Sequence, residues 1–401
     1  MNQSDVVRIA SLIYSQGLAS RAGLAEQTNL APSYVGTIVK DLQQKGLVAE
    51  GDRAPSPRGR RRVLLHINPG LGELVGIRIG RANIRVVVTD FLGKVRTLKK
   101  LHVDVSKGQE YVLDLVHQQV KPLIRHDGAV KGIGVGISGV IGRKRGTVLF
   151  WPKVQGWHDV PLKQIFEDCY GLPTVVEDSV RAMALAECRF GQGGAYRDFA
   201  YVTIGVGIGA AVFVNGNFYF GADGLAGELG HTTIDERGEM CSCGNRGCVE
   251  VYASGWAIID NVRRALQQGV TSTLLRPPDR HDEHLTIESI VDAARQGDRL
   301  SQNVLSEAGT HLGTALGTFV NLFNPQSIIL SGAVPQVAKT FFLKSLSQAL
   351  RHRAFHRSVR NLIVVVSRLG GESGAIGAAL LVAEQLLRKF CISNYSDGVR
   401  A

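Results

Sequence analysis

Apolar residues at Val6, Val7, Ile9, Ala10, Leu12 and Ile13 recur at the spacing that lays one face of an α-helix on a core, and the pattern stops at Gly17. Ser20 offers a side-chain oxygen to cap a second short helix, predicted from Arg21 to Thr28, with Leu24 and Ala25 as its buried pair. After the turn Asn29-Leu30-Ala31, Pro32 suits the first turn of a third helix. That helix buries Val35, Ile38, Val39 and Leu42, and Gly46 ends it. Two short strands follow, Leu47 to Glu50 and Arg62 to Ile67. Three short helices with a tight turn between the last two, closed by a strand ribbon, predict a winged helix-turn-helix.

Asn68-Pro69-Gly70 marks a boundary, so residues 1–68 form the first domain. Beyond it, apolar runs alternate with amphipathic helices, the order expected of an α/β fold. A coarse internal duplication is visible. Leu74 to Asp90 and Tyr201 to Phe218 each read as strand, glycine-containing turn, strand, and helices follow later, including Glu110 to His126 and Trp256 to Gln268. The expectation is two similar lobes, 69–185 and 186–401, with a small-molecule site between them and a C-terminal helix returning to the first lobe. No run of apolar residues reaches the length of a membrane span. Asp5 and Arg8 interrupt the N-terminal pattern, which reads as an amphipathic helix rather than a signal peptide, and a cytoplasmic location is expected.

Composition narrows the partners. The chain has 401 residues with 44% hydrophobic and 20% charged, ordinary for a globular protein, and a net charge of +11 that asks for an anionic partner. Arg53, Arg58, Arg60, Arg61 and Arg62 fall in one ten-residue stretch of the wing, with Asp52 the one acid near them. Alone this reads equally as a solvated linker. Beside a third helix presenting Ser33, Tyr34, Thr37 and Lys40 it reads as a surface for double-stranded DNA: the helix in the major groove, and Arg58, Arg60 and Arg61 on phosphates or in the minor groove. The alternative is a three-helix protein-interaction module.

Six cysteines in so long a chain make no disulfide framework, and three of them cluster. His231, Cys241, Cys243 and Cys248 stand in the order His-x9-Cys-x-Cys-x4-Cys, in a loop that also carries Gly238, Gly244 and Gly247. Three thiolates and one imidazole complete a tetrahedral zinc with no open position, which is a structural site. The alternative is three reduced cysteines near an unrelated histidine.

The run Gly224-Leu225-Ala226-Gly227-Glu228-Leu229-Gly230-His231, then the cysteine loop and Val249-Glu250, resembles the signature of the ROK family of repressors, open reading frames and sugar kinases. The resemblance covers essentially the whole chain, the front end looking like the repressor branch. It implies a two-lobed, actin-like (ribonuclease H-like) sugar-kinase fold. It also implies that Glu228, His231 and Glu250 contact sugar hydroxyls, His231 serving both zinc and ligand. For the two glutamates, salt bridging within the loop is the alternative.

Departures from the family's kinases are concentrated where phosphate chemistry belongs. Their Glu-Asn-Asp segment matches Glu177-Asp178-Ser179 here, which puts a hydroxyl where the catalytic base stands. Asp178 is one residue early, at the head of a helix predicted from Val180 to Phe190. Their first phosphate turn, Asp-x-Gly-Gly-Thr, reads Arg78-Ile79-Gly80-Arg81-Ala82, so a metal-facing carboxylate has become a cation. The second turn, Gly205-Val206-Gly207-Ile208-Gly209, has Val206 where a hydroxyl is usual, and Lys153 replaces an amide in Pro152-Lys153-Val154-Gln155-Gly156-Trp157. These readings predict a DNA-binding transcription regulator without kinase activity. Its expected effector is a sugar or an anionic sugar derivative, met by Arg78, Lys153, Asp178, Ser179, Glu228, His231 and Glu250, with Arg81 on the same side. A homodimer or higher homo-oligomer on a two-fold operator is expected. The competing reading is a sugar kinase with a DNA-binding appendage.

Overall fold

Five segments of the chain, 1–53, 62–124, 128–151, 154–275 and 285–395, are described by the computed structural model. Arg58, Arg60, Arg61 and Lys153 lie outside them. The chain divides into two units, Met1–Phe190 with Glu372–Ala401, and Gly191–Gly371.

The first unit opens with α1 (Gln3–Gln16), capped by the Asn2 side chain accepting from the Ser4 N–H and closed by Gly17 at φ 75°. A short strand β1 (Ala19–Ser20) leads to α2 (Arg21–Thr28), which Ser20 caps through the Gly23 N–H and which Asn29 closes in the left-handed conformation. Helix α3 (Pro32–Gln44) starts on its proline. Strands β2 (Val48–Arg53) and β3 (Val63–Ile67) pair antiparallel, with β1 on the far edge of β3. Val6, Ile9, Ile13, Leu24, Val35, Ile38, Val39 and Leu42 are fully buried, so the periodic positions do make the core.

The rest of this unit is built on a sheet of β4 (Glu73–Ile79), β5 (Asn83–Asp90), β6 (Val95–His102), β7 (Val130–Ile137) and β11 (Thr174–Asp178), in the order β11-β7-β4-β5-β6. Helix α4 (Gly108–Val120) joins β6 to β7 and stops short of the expected His126. Pro122 accounts for that: it lacks an N–H and restricts the residue before it, so the chain continues as a 3-10 turn over Lys121–Leu123. A small sheet of β8 (Val140–Gly142), β9 (Thr147–Phe150) and β10 (His158–Val160) precedes α5 (Leu162–Tyr170), and β11 runs straight into α6 (Ser179–Phe190).

The second unit repeats the plan. Strands β12 (Phe199–Ile204), β13 (Ile208–Val214), β14 (Asn217–Tyr219), β15 (Ser327–Ser331) and β16 (Ile363–Val366) lie in the order β14-β13-β12-β15-β16. Both sheets are thus a three-strand antiparallel meander extended by two parallel strands, the topology behind the duplication visible in the sequence. Helices α7 (Glu250–Ala253), α8 (Gly255–Gln267), α9 (Ile287–Arg295), α10 (Arg299–Phe323), α11 (Ala333–Val337), α12 (Phe342–Arg353) and α13 (His356–Val359) complete it.

The last helix, α14 (Ser373–Tyr395), belongs to the first unit and lies against β4 and β7. Glycines make that approach possible. A Cβ on Gly134 would stand 1.8 Å from the Ala378 carbonyl oxygen, and one on Gly76 2.0 Å from that of Ala375. Among the described residues no helix is long and apolar enough to cross a membrane.

Candidate functional site

Among the described residues, the ligand atoms of His231, Cys241, Cys243 and Cys248 all lie within 4.8 Å of one another. A tight knuckle holds them: the Cys241 N–H donates to Asn245 O at 2.7 Å and the Gly244 N–H to Cys241 O at 3.0 Å. Gly247 is required there, since at φ 65° its Cβ would lie 1.6 Å from the Asp235 carbonyl oxygen. Sulfurs of Cys243 and Cys248 are 3.7 Å apart, and His231 Nδ1 is 3.6 Å from the Cys241 sulfur. Ligands about 2.3 Å from a tetrahedral zinc stand about 3.8 Å from each other, so the donor set fits such an ion. His231 presents Nδ1 to the sulfurs, which leaves Nε2 for another partner.

Electrostatics point the same way. Burial pushes the Cys248 thiol up to about 12, and the neighbouring Cys243 and Cys241 add to the rise. A metal ion among the sulfurs would favour their ionised forms. The loop is braced from outside: the Tyr252 hydroxyl accepts from the Glu239 N–H at 3.2 Å, its ring stacks on His311 of α10 at 4.7 Å, and Arg264 pairs with Glu239 at 2.7 Å.

Glu250 reaches from α7 to the turn between β12 and β13, where its Oε2 accepts from the Ile208 N–H at 2.8 Å. A Cβ on Gly207 would lie 2.5 Å from that oxygen, so a side chain there would displace the Glu250 carboxylate. Glu228 is exposed at the head of the short turn carrying His231, and Val206 is exposed at the tip of its own turn.

In the first unit, Asp178 caps α6: its Oδ1 accepts from the N–H groups of Val180 at 2.8 Å and Arg181 at 3.2 Å. Burial raises its carboxyl to about 7, with the Arg181 guanidinium opposing the rise and Glu177 adding to it. Ser179 is buried, its hydroxyl 3.2 Å from that of Ser138. Arg78 stands opposite Arg85 across β4 and β5, and a Cβ on Gly374 at the start of α14 would be 2.4 Å from its Cδ. Arg81 is half-buried in the turn after β4.

The group that organises this end of the sheet was not anticipated from the sequence. Buried Glu177 accepts from Arg181 at 3.0 Å and from Arg143 at 2.8 Å. The Glu177–Arg181 spacing of four was a visible signal. Arg143 gave none, because it comes from the turn between β8 and β9.

On the helix-turn-helix, Ser33, Thr37 and Lys40 of α3 are exposed, and the Thr37 hydroxyl donates to the Ser33 carbonyl at 3.1 Å. Tyr34 is half-buried and held to α1: its hydroxyl accepts from the Asn2 N–H at 2.9 Å and donates to Asp5 at 3.3 Å. Arg62 is exposed at the return of the wing.

Residues 74–385 match the ROK family. A xylose repressor of Caldicellulosiruptor bescii is 29% identical over 391 residues, which cover 96% of this chain and 97% of that one. The crystal structure of a ROK family transcriptional regulator, a homologue of the E. coli MLC protein, superposes with a TM-score of 0.80 at 30% identity over 98% of each chain. A ROK family glucokinase from Streptomyces griseus, in complex with glucose and AMPPNP, gives 0.66 at 30% identity, covering 77% of this chain and 99% of its own.

Proposed function

The chain belongs to the ROK family, and from that premise we propose that it is a sugar-responsive DNA-binding transcriptional repressor whose sensor does not transfer phosphate. One observation carries the reading: the repressor and the regulator match from end to end, winged helix included, whereas the glucokinase leaves about a quarter of the chain unmatched.

Chemistry at the sensor supports the second half of the statement. A phosphotransferase needs a base on the attacked hydroxyl and a metal-binding carboxylate near the phosphates. Ser179 offers only a hydroxyl beside Ser138. Asp178, one residue away, is committed to the head of α6, where its Oδ1 accepts from two N–H groups. Arg78 takes the position where the family's kinases have a metal-facing carboxylate, a residue type suited to an anionic group without a metal.

Effector hydroxyls are assigned to Glu228, Glu250 and the Nε2 side of His231, with Asp178 and Ser179 as further contacts and Arg78, Arg81 and Lys153 favouring an anionic sugar derivative. Zinc on His231, Cys241, Cys243 and Cys248 is structural: it would fix the His231 tautomer and the loop carrying Glu228. Ser33 and Thr37 read the operator, and Lys40 with Arg58, Arg60 and Arg61 holds its backbone, in a cytoplasmic homodimer on a two-fold site.

Stability of the full-length protein, measured against xylose, glucose, N-acetylglucosamine, their phosphates and their acids, tests this reading together with ADP release in ATP and magnesium. A ligand of the folded state raises the melting temperature in proportion to saturation. The expected result is at least one stabilising ligand, an anionic member binding more tightly than its neutral parent, and no ADP above background. Turnover that Asp178→Ala abolishes would establish the kinase reading instead.

A further inference from the structure

Helix α6 has one end among the assigned effector contacts and the other in the DNA-binding unit. We propose that it carries the effector signal, and that Arg189 and Tyr14 form the junction through which binding at Asp178 and Ser179 changes the affinity of the winged helix for DNA. The proposal rests on the reading of the protein as a sugar-responsive repressor and names how its two sites are linked.

At the N-terminal end, α6 is held by contacts that a polyhydroxyl or anionic ligand competes for. These are the Asp178 cap, the Ser179–Ser138 hydroxyl pair, and Glu177 between Arg181 and Arg143. Ten residues on from Ser179, a distance of roughly 15 Å along the axis, the helix delivers Arg189 to the C-terminus of α1. The guanidinium donates to the Tyr14 carbonyl and lies over the Tyr14 ring, 5.4 Å from its centroid. It also packs against Gly17, where a Cβ would stand 3.0 Å from it. Helix α1 has no basic residue in its last turn, so Arg189 supplies from outside the cation that the negative end of the helix favours.

Tyr14 passes the contact on. Its buried hydroxyl donates to the Leu380 carbonyl of α14 at 2.8 Å. Helices α6 and α14 are in backbone contact, since a Cβ on Gly377 would be 1.7 Å from the Ala182 carbonyl oxygen. No compressible side chain separates them there, so displacement of one is felt by the other. At its far end α14 reaches the recognition helix: the Tyr395 hydroxyl bonds the Asp41 carboxylate, and the Lys45 ammonium sits 3.6 Å over the Tyr395 ring. Ile9, Ile13, Ala379, Leu380, Ala383 and Leu387 belong to one continuous core. The winged helix is therefore packed onto the sensor's last helix rather than tethered by a linker.

The test uses full-length wild type, Tyr14→Phe and Arg189→Gln, with Arg189→Lys as the conservative replacement and a duplex selected from a random pool by the wild type. DNA affinity is measured with and without saturating amounts of whichever probe among xylose, glucose, N-acetylglucosamine and their phosphates stabilises the protein. Allosteric coupling of the usual size changes the wild-type Kd by roughly 5- to 150-fold. Tyr14→Phe and Arg189→Gln are expected to bind both sugar and DNA yet show less than about a third of that factor, and Arg189→Lys to recover part of it. Amide exchange in the wild type guards against variants that misfold: sugar is expected to change protection in α6 and in the last turn of α1 together. Variants that respond like wild type, or sugar-dependent exchange that leaves α1 untouched, overturn the junction alone. A wild type that binds the duplex but responds to no probe overturns the regulatory reading, and the junction with it.

Discussion

Cys243 is exposed while Cys241 and Cys248 are buried, so one thiol of the Cys3His group can be removed without opening a core cavity. Cys243→Ala is expected to lose the metal and lower the melting temperature, and wild type purified without chelators to carry about one zinc per chain. Metal-free wild type of unchanged stability would contradict the assignment. Asp178 gives a second residue-level expectation. Its carboxyl rises from 3.8 to about 7 in the folded chain, so between those pH values the native state keeps a proton that the unfolded chain releases. The stability it contributes is greatest at and below the lower value and falls as pH rises through the window. Asp178→Asn keeps the capping oxygen and removes the titration. Its stability relative to wild type should climb across that window, and a flat difference would argue against a buried acid. The gathering of His231, Cys241, Cys243 and Cys248 was legible in the sequence because residue types and spacing carry it. The partner of Glu250 was not: the Ile208 N–H lies 42 residues away, and only the fold brings it there.

At the scale of elements, caps and breakers made the three N-terminal helices readable almost to the residue. Asn29 and Gly17 close helices, Ser20 and Pro32 open them, and each acts locally. What an exposed-looking position does is less local. Tyr34 sits on the face expected to meet DNA, yet its hydroxyl ties α3 to the start of α1. Tyr34→Phe should therefore lower stability by about 1 kcal/mol and affect all duplexes alike. Thr37→Ala and Lys40→Ala should leave stability nearly unchanged. Thr37→Ala should lose discrimination between operator and mismatched duplex. Lys40→Ala, and Arg60→Ala with Arg61→Ala in the wing, should weaken binding to every sequence and reduce the salt slope by about one for each phosphate no longer neutralised. Specificity unchanged in Thr37→Ala, with all losses equal across sequences, would leave α3 without a reading role.

For the whole molecule, the duplication that appeared as two strand–turn–strand runs is now two sheets of one topology, and the run 224–231 and the cysteine loop follow the meander of the second unit. The C-terminal helix was harder to place by pattern, because α14 is buried against glycines and alanines on several sides and shows little amphipathic contrast. Its packing joins the DNA-binding helices and the first sheet around a common core, which is why a ligand signal has a physical route to DNA. One chain thus senses a sugar and reports it as a change in DNA affinity without phosphorylating it. Titration of the selected duplex with full-length protein, in magnesium and ATP, with and without the stabilising sugar, measures this directly. The account predicts a shift in Kd of at least about fivefold, with the sugar recovered unmodified. Duplex affinity indifferent to every sugar that binds, or recovery of the sugar as its phosphate, would contradict it.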